Sequence, residues 1–379
     1  MAGLPGARAG GPATRGPARG LAGLAASPRF QALAARLPGL RHLARAEGAA
    51  LFDVMQGFVR SQALAALVEL RVLHALADGP RHPRALAPAA GLGEARMALL
   101  LQSGAALRLL RRRRDGRFAL TARGAAFLSV PGLEALVRHH AVLYRDLADP
   151  VAFLRGETAP DLARFWPYVF GAGQATDPEA AAAYSGLMAD TQALVAADTL
   201  RLVDFGGVAR LLDVGGGTGA FLAAVGRAHP SMRLDLFDLP AVMEGAAARL
   251  GQAGLSGRVT LHRGSFRDDP LPAGADAVSL VRVLYDHADA TVASLLRAVL
   301  AALPPGGRIV VSEPMSGGDR PDPATDVYFA WYTAAMGTGR TRSAAEIGAL
   351  MAGAGFQGIR SAPGDRRYVT SVVEARRPA

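Results

Sequence analysis

The chain has 379 residues, half of them hydrophobic, enough for a sizeable core and for two domains or one large domain with an extension. Cysteine is absent, which excludes disulfides and thiolate metal sites, and no HExxH-type pair offers a His or carboxylate alternative, so no metal is expected. The formal charge of +10 comes entirely from Arg spread along the whole chain, which points to coding bias more than to a nucleic-acid footprint, and no apolar run reaches the length of a spanning helix.

Residues 1–27 are Gly, Ala, Pro and Arg without apolar period and read as a flexible tail. Phe30, Leu33, Leu37 and Leu40 begin a helical pattern, and Leu51–Ala77 continues it through Phe52, Met55, Val59, Leu64, Leu67, Leu70 and Leu73. Then come a short helix at Ala85–Ala90, a turn at Gly91–Gly93, a helix at Glu94–Leu107 and a ribbon at Leu109–Leu120 folded around Asp115–Gly116, which together make a winged-helix pattern. The Arg111–Arg114 run lies in the wing, where it suits either DNA phosphates or a solvated hairpin edge. A helical stretch at Gly132–Gly156, an aromatic loop with Phe165, Trp166, Tyr168 and Phe170, and an amphipathic helix at Tyr184–Phe205 follow.

From Leu211 the chain alternates strands and helices. The strands are Arg210–Val214, Arg233–Phe237, Val259–His262, Ala277–Val283, Arg308–Ser312 and a last one at Val369–Glu374. Between them lie helices at Ala220–Ala228, Ala241–Ala253, Ala290–Leu303 and Ala344–Ala354. That order predicts a doubly wound α/β sheet.

The first of these strands runs into GGGTG, with Gly215, Gly216, Gly217 and Gly219, and a helix starts at once. Glycines allow a sharp turn and close approach of a ligand at the strand's carboxyl end. The same glycines satisfy a dinucleotide fingerprint, so the neighbouring acids decide. Asp213 precedes the turn, where a carboxylate would repel a pyrophosphate. Asp238 ends the next strand and can receive ribose hydroxyls, although it also suits a helix N-cap. Both carboxylates fit a cationic, ribose-bearing cofactor, S-adenosylmethionine (SAM). Leu239 beside Asp238, Ser265 and Phe266 after the third strand, and Arg282 complete the cofactor candidates.

DVGGGTG, FDLP and PPGGRIVVSEP, downstream of a winged helix, resemble the plant-type O-methyltransferases over roughly residues 50 to 375. The resemblance implies a Rossmann-like class I methyltransferase sheet at 206–379, preceded at 28–205 by a helical dimerisation and winged-helix domain, and a homodimer. DTQALVAADTLR, LVRVLYDH, SEPMSGG and DVYFAWYTAAMGTGRTRS resemble, more narrowly, the carotenoid O-methyltransferases of purple phototrophic bacteria. That implies methylation of a 1-hydroxy carotenoid on the route to spheroidene or spirilloxanthin, in the cytoplasm with peripheral contact to the inner or photosynthetic membrane and no nucleic acid.

In the wider family the segment matching Leu284–Asp289 reads L-H-D-W-S-D, and its His is the general base. Here Tyr285 stands at that position and His287 two residues later. The family acid that orients the base matches Glu313, and a second acid falls near Gly339, where this chain has none. A tertiary alcohol must lose its proton as the methyl arrives, which calls for a positioned base. His287 suits that role by pKa, with Tyr285 as competitor and Glu313 as orienting group. Strand alternation would put Tyr285 and His287 on one side and Asp286 on the other, while as packing residues His287 would cap the next helix. The acceptor pocket is expected to draw on Phe165, Trp166, Tyr168, Phe170, Met188, Phe329, Trp331, Tyr332 and Met336. The competing readings are a small phenol or polyketide as acceptor, a winged-helix DNA-binding regulator, and an NAD-dependent reductase, the last disfavoured by Asp213 and the absence of a Tyr-x-x-x-Lys.

Overall fold

The computed structural model describes residues 27–165 and 191–379 apart from Val242 and Glu244. The tail, Trp166, Tyr168, Phe170, Met188, the start of the helix expected from Tyr184 and the side chain of Phe165 therefore lie outside the described residues. Two compact units form, one from the chain up to Arg71 with Pro80–Ala119, the other from Val72–Gly79 with Leu120–Ala379.

In the first unit the long helical pattern is realised as separate helices, Pro38–Met55 and Gly57–Glu69. Leu67 is buried from the second of these, and a Cβ on Gly104 would press on both Leu67 and Leu110, so this helix, Glu94–Ala106 and the wing share one small core. The wing is β1 (Leu110–Arg112) and β2 (Phe118–Leu120), with Arg81 bridging to Phe118 as a third rung. Asp115 closes the hairpin by accepting the Arg117 backbone N–H at 3.1 Å. Leu51, Phe52, Met55, Phe58 and Val59 recur at helical spacing yet are 54–69% exposed, leaving an apolar stripe.

The second unit holds a seven-stranded sheet of order β5-β4-β3-β6-β7-β9-β8. β3 (Arg210–Val214), β4 (Arg233–Asp238), β5 (Val259–Arg263), β6 (Ala277–Val281) and β7 (Arg308–Glu313) are parallel. β9 (Ser371–Arg376) enters antiparallel between β7 and the edge strand β8 (Gln357–Ala362). The sequence reading missed β8 and began the last strand two residues early. β8 is exposed along almost its whole length, so it carries no apolar alternation to read.

Alternation along β3 sends Leu211 into the core on one face of the sheet and Leu212 and Val214 into the core on the other. Asp213 shares the Leu211 side and pairs in register with Ser279 of β6. Because β3 lies between β4 and β6, its carboxyl end is the switch point of the sheet, where a ligand crevice opens. Among the described residues no helix is long and apolar enough to cross a membrane, and no cluster of His and acidic side chains is arranged to hold a metal ion.

Strand alternation stops after β6. Leu284–Asp286 is a 3-10 turn, so Tyr285, Asp286 and His287 do not alternate as expected. The fully buried Arg342 holds this turn. Its guanidinium donates to the Leu284 carbonyl at 2.8 Å, to the His287 carbonyl at 2.7 Å and to the Asp289 carboxylate at 2.6 Å. Replacing Arg342 with Met takes the guanidinium donor from the His287 carbonyl, leaves the Leu284 carbonyl with the His287 N–H alone, and removes a charge-assisted pair with Asp289. Arg342→Met should lose at least about 3 kcal/mol of stability in urea denaturation.

Candidate active site

Gly215, Gly217 and Gly219 all take positive φ, from 59° to 76°. Gly216 is needed for space, because a Cβ there would overlap the Asp213 carboxylate and Leu236. Gly217 is needed for its φ of 59° alone, since a Cβ there would meet nothing within 4 Å. The loop is thus packed behind and open in front.

Two carboxylates face it. Asp213 is fully buried; its Oδ1 accepts the Ser279 hydroxyl at 2.6 Å and its Oδ2 has no hydrogen-bond partner. Burial, and the nearby Asp238, push its pKa up to about 7. Asp238 accepts the Gly217 N–H at 2.7 Å and the Leu239 N–H at 2.7 Å. Burial raises it to about 6 against these two bonds. The next helix starts only at Ala246, so Asp238 does not act as its N-cap. Two like charges at the ends of adjacent strands, one with an unused buried oxygen, fit a ligand that brings positive charge and hydroxyl donors. A sulfonium carrying ribose and an amino group meets both requirements.

Ser265 is tied into its own turn, its hydroxyl accepting the Arg267 N–H at 3.2 Å. Phe266 is half-buried and meets the His287 ring edge-on at 5.2 Å between centroids. Arg282 has a non-glycine φ of 59°. Its guanidinium donates to the Tyr285 hydroxyl at 3.2 Å and to Thr191 at 3.0 Å, which places it beside Tyr285 on the catalytic segment.

Tyr285 is buried, and burial raises its phenol well above the ordinary range, although Arg282 opposes this. It therefore stays protonated and serves as a hydrogen-bonding group. His287 is also buried. Its Nδ1 lies 3.2 Å from Arg267 Nη2, which can only donate, so Nδ1 is the acceptor and Nε2 carries the proton. Burial, with Arg267 and Arg342, lowers its pKa to about 3. Ala288, without a side-chain bond, caps the following helix in place of His287.

Glu313 ends β7, and its Oε2 accepts the Leu284 and Tyr285 backbone N–H groups at 3.0 and 3.3 Å. It holds the turn rather than a side chain. Its Oε1 is buried without a partner, and burial raises its pKa to about 7. Asp286 is the group that sequence reasoning passed over. Its Oδ1 is buried without a partner, and burial, opposed by Arg282 and helped by Glu313, holds its pKa well above the usual carboxylate range. Only an even-odd count along a continued strand argued against it, and the 3-10 turn removes that argument. Gly339, near which the wider family's second acid falls, lies against this turn, and a Cβ there would be 2.7 Å from the Tyr285 carbonyl oxygen.

On the other side of Tyr285, the helix Leu133–Asp146 supplies His139 and His140. His139 Nε2 is 2.8 Å from the Tyr332 hydroxyl and His140 Nε2 is 2.7 Å from the Tyr328 hydroxyl. Tyr332, Met336, Phe153 and Leu162 form an apolar cluster here, with Trp331 packed against it, and Phe329 meets Tyr328 edge-on.

Residues 144–357 match the O-methyltransferase domain family and residues 52–130 the O-methyltransferase dimerisation domain family. The demethylspheroidene O-methyltransferase of Cereibacter sphaeroides is 66% identical over 97% of this chain and 99% of its own length. The protein of the same name from Rhodobacter capsulatus is 54% identical over 93% of this chain and 88% of its own. Among solved structures, a mitomycin 7-O-methyltransferase matches with TM-score 0.75 and 28% identity, covering 89% of this chain and 99% of that one. The SAH-bound methyltransferase of calicheamicin biosynthesis matches with TM-score 0.71 and 29% identity, covering 88% and 98%. With the glycine loop, its paired carboxylates and the clamped turn after β6, these matches establish that the chain belongs to the SAM-dependent O-methyltransferase family.

Proposed function

We propose that the methyl acceptor is the 1-hydroxyl of an acyclic hydroxy-carotenoid of the demethylspheroidene or hydroxyneurosporene type. The observation that carries this reading is the 66% identity, along nearly the whole chain, with a demethylspheroidene O-methyltransferase. The apolar cluster around Met336, Leu162 and Phe153 supports it, because a polyene offers little but apolar surface.

SAM supplies a methyl group on a sulfonium, whose transfer to oxygen consumes a positive charge. Asp213 and Asp238 hold the ammonium and ribose, and the glycine loop lets the backbone close on the cofactor. Phe266 and the neutral His287 wall the adenine side. Burial keeps water out, which favours loss of charge and preserves an in-line geometry. Burial raises both Asp286 and Glu313, and the nearby Glu313 raises Asp286 further. This pair takes the hydroxyl proton, in place of the histidine the wider family uses. Arg282 donates to the Tyr285 hydroxyl and acts electrostatically on Asp286, which ties the tyrosine to the pair.

The apolar stripe of Leu51, Phe52, Met55, Phe58 and Val59 lies within or beside the dimerisation-domain match, and a second copy of the chain covers it. The Arg excess favours weak contact with an anionic lipid surface, where the acceptor resides.

Labelled SAM offered with hydroxyneurosporene-type carotenoids and with simple phenols tests the acceptor. Label should enter the carotenoid, and label confined to the phenols refutes the assignment. In the same assay Asp286→Asn should lower kcat by roughly 10²–10⁴-fold with SAM affinity kept. Calorimetry should show SAM binding tightening from pH 5.5 to 7.5 with proton release, because Asp213 and Asp238 must give up protons held up to about pH 7 and 6. Asp213→Asn should flatten that dependence and weaken binding roughly tenfold or more. Sedimentation should find a dimer, and Phe52→Asp with Phe58→Asp should give a folded monomer.

A further inference from the structure

We propose that Tyr328 and Tyr332, each locked by a histidine of the helix Leu133–Asp146, form the hydroxyl-recognising end of the acceptor pocket. The acceptor's identity here rests on the hydroxy-carotenoid reading; the role of the tyrosines does not.

The starting point is an expense the fold does not require. Four polar rings sit against the apolar cluster of Leu143, Phe153, Leu162, Ala335 and Met336, where aliphatic side chains would pack without hydrogen-bond partners. Instead two phenols are matched to two imidazoles at 2.8 and 2.7 Å. The Tyr328 and Tyr332 rings are 6.0 Å apart, so their hydroxyl ends belong to one layer. Arg282 and Tyr285 are close enough to act on Tyr332 electrostatically, as is Asp286, which joins this layer to the proton-accepting turn.

The protonation states suit recognition of a hydroxyl. Burial lowers His139 to about 4, with His140 adding to the effect, and burial lowers His140 as well. Both imidazoles are therefore neutral at physiological pH, each with one ring nitrogen that accepts. In the proposed arrangement that nitrogen is Nε2, and the phenol, which burial keeps protonated, donates to it. A phenol that has spent its proton in this way keeps its oxygen lone pairs, which can receive the acceptor's O–H. Both histidines and Tyr328 are only half-buried, so the layer is within reach of a ligand.

The backbone adds an independent sign. Tyr328 lies in a π-helical segment, Pro323–Phe329, that passes directly into the helix Ala330–Ala335 bearing Tyr332. The π form is rare and concentrates at functional sites. It carries one extra residue per turn and so changes which side chains follow one another on the face. A polyene with one hydroxyl has one polar handle, and a pocket that must hydrogen-bond that handle discriminates strongly against a molecule lacking it.

The full-length protein, saturated with SAH to block turnover, is titrated with a hydroxylated carotenoid and with its non-hydroxylated parent in the same detergent micelles. The wild type should prefer the hydroxylated form by about tenfold or more. Tyr332→Phe, and more fully the double Tyr328→Phe/Tyr332→Phe variant, should erase that preference with SAH affinity unchanged and should lower kcat at least about tenfold. His139→Gln, which can still bond the phenol, should retain more of the preference than His139→Leu. If the double variant keeps both the preference and full kcat, the proposal is overturned. If the wild type ignores carotenoids and methylates a phenol, the carotenoid reading fails by itself. The same variants are then compared on that phenol, where lost turnover sustains the role of the tyrosines and unchanged turnover overturns it.

Discussion

The catalytic segment depends on a buried clamp of opposite charges acting on one short turn. Glu313 accepts the N–H groups of Leu284 and Tyr285, while Arg342 donates to the carbonyls of Leu284 and His287. A carboxylate on the donors and a guanidinium on the acceptors fix the peptide planes of the turn from both sides. In that frame a 3-10 conformation is held at the end of a parallel strand, where the chain would otherwise run straight into a loop. From this turn hang the Tyr285 hydroxyl, the Asp286 carboxyl and, through Tyr285, the Arg282 guanidinium, the groups we propose act on the acceptor's proton.

The same economy of charge organises the cofactor side. Asp238 stands close enough to Asp213 to disfavour its ionisation, and among the described residues neither has a cationic side chain as hydrogen-bond partner. A cofactor that brings positive charge would offset that repulsion, and the balance it would meet is set by the register that pairs Asp213 with Ser279 and by the N–H groups that donate to Asp238.

The two halves of the site differ in how much of them could be read from the sequence. The cofactor half is local: strand, glycine turn and acids lie within a few residues, and the next strand's Asp238 completes it at the expected offset. The proposed acceptor half is assembled over long separations. His140 and Tyr328 are 188 residues apart, His139 and Tyr332 are 193 apart, and no local pattern marks such pairs. The usual pKa of histidine favours His287 as base, but the guanidinium on its Nδ1 comes from Arg267, in a different loop. Asp286 was hidden by a period that the chain abandons one turn too early. The edge strand β8 escaped for a simpler reason, since an exposed strand has no buried face to imprint on its composition.

Gly339 gives this site a direction in time. Its backbone lies so close to the Tyr285 carbonyl that even a methyl group there would collide, and the obstacle is main chain rather than a side chain that can swing aside. Any side chain at this position has to displace one of two backbones, and pushing on Tyr285 disturbs the turn that Glu313 and Arg342 hold. Once two backbones touch in this way, later change can refine the turn through the side chains around it far more easily than it can reopen the space between them.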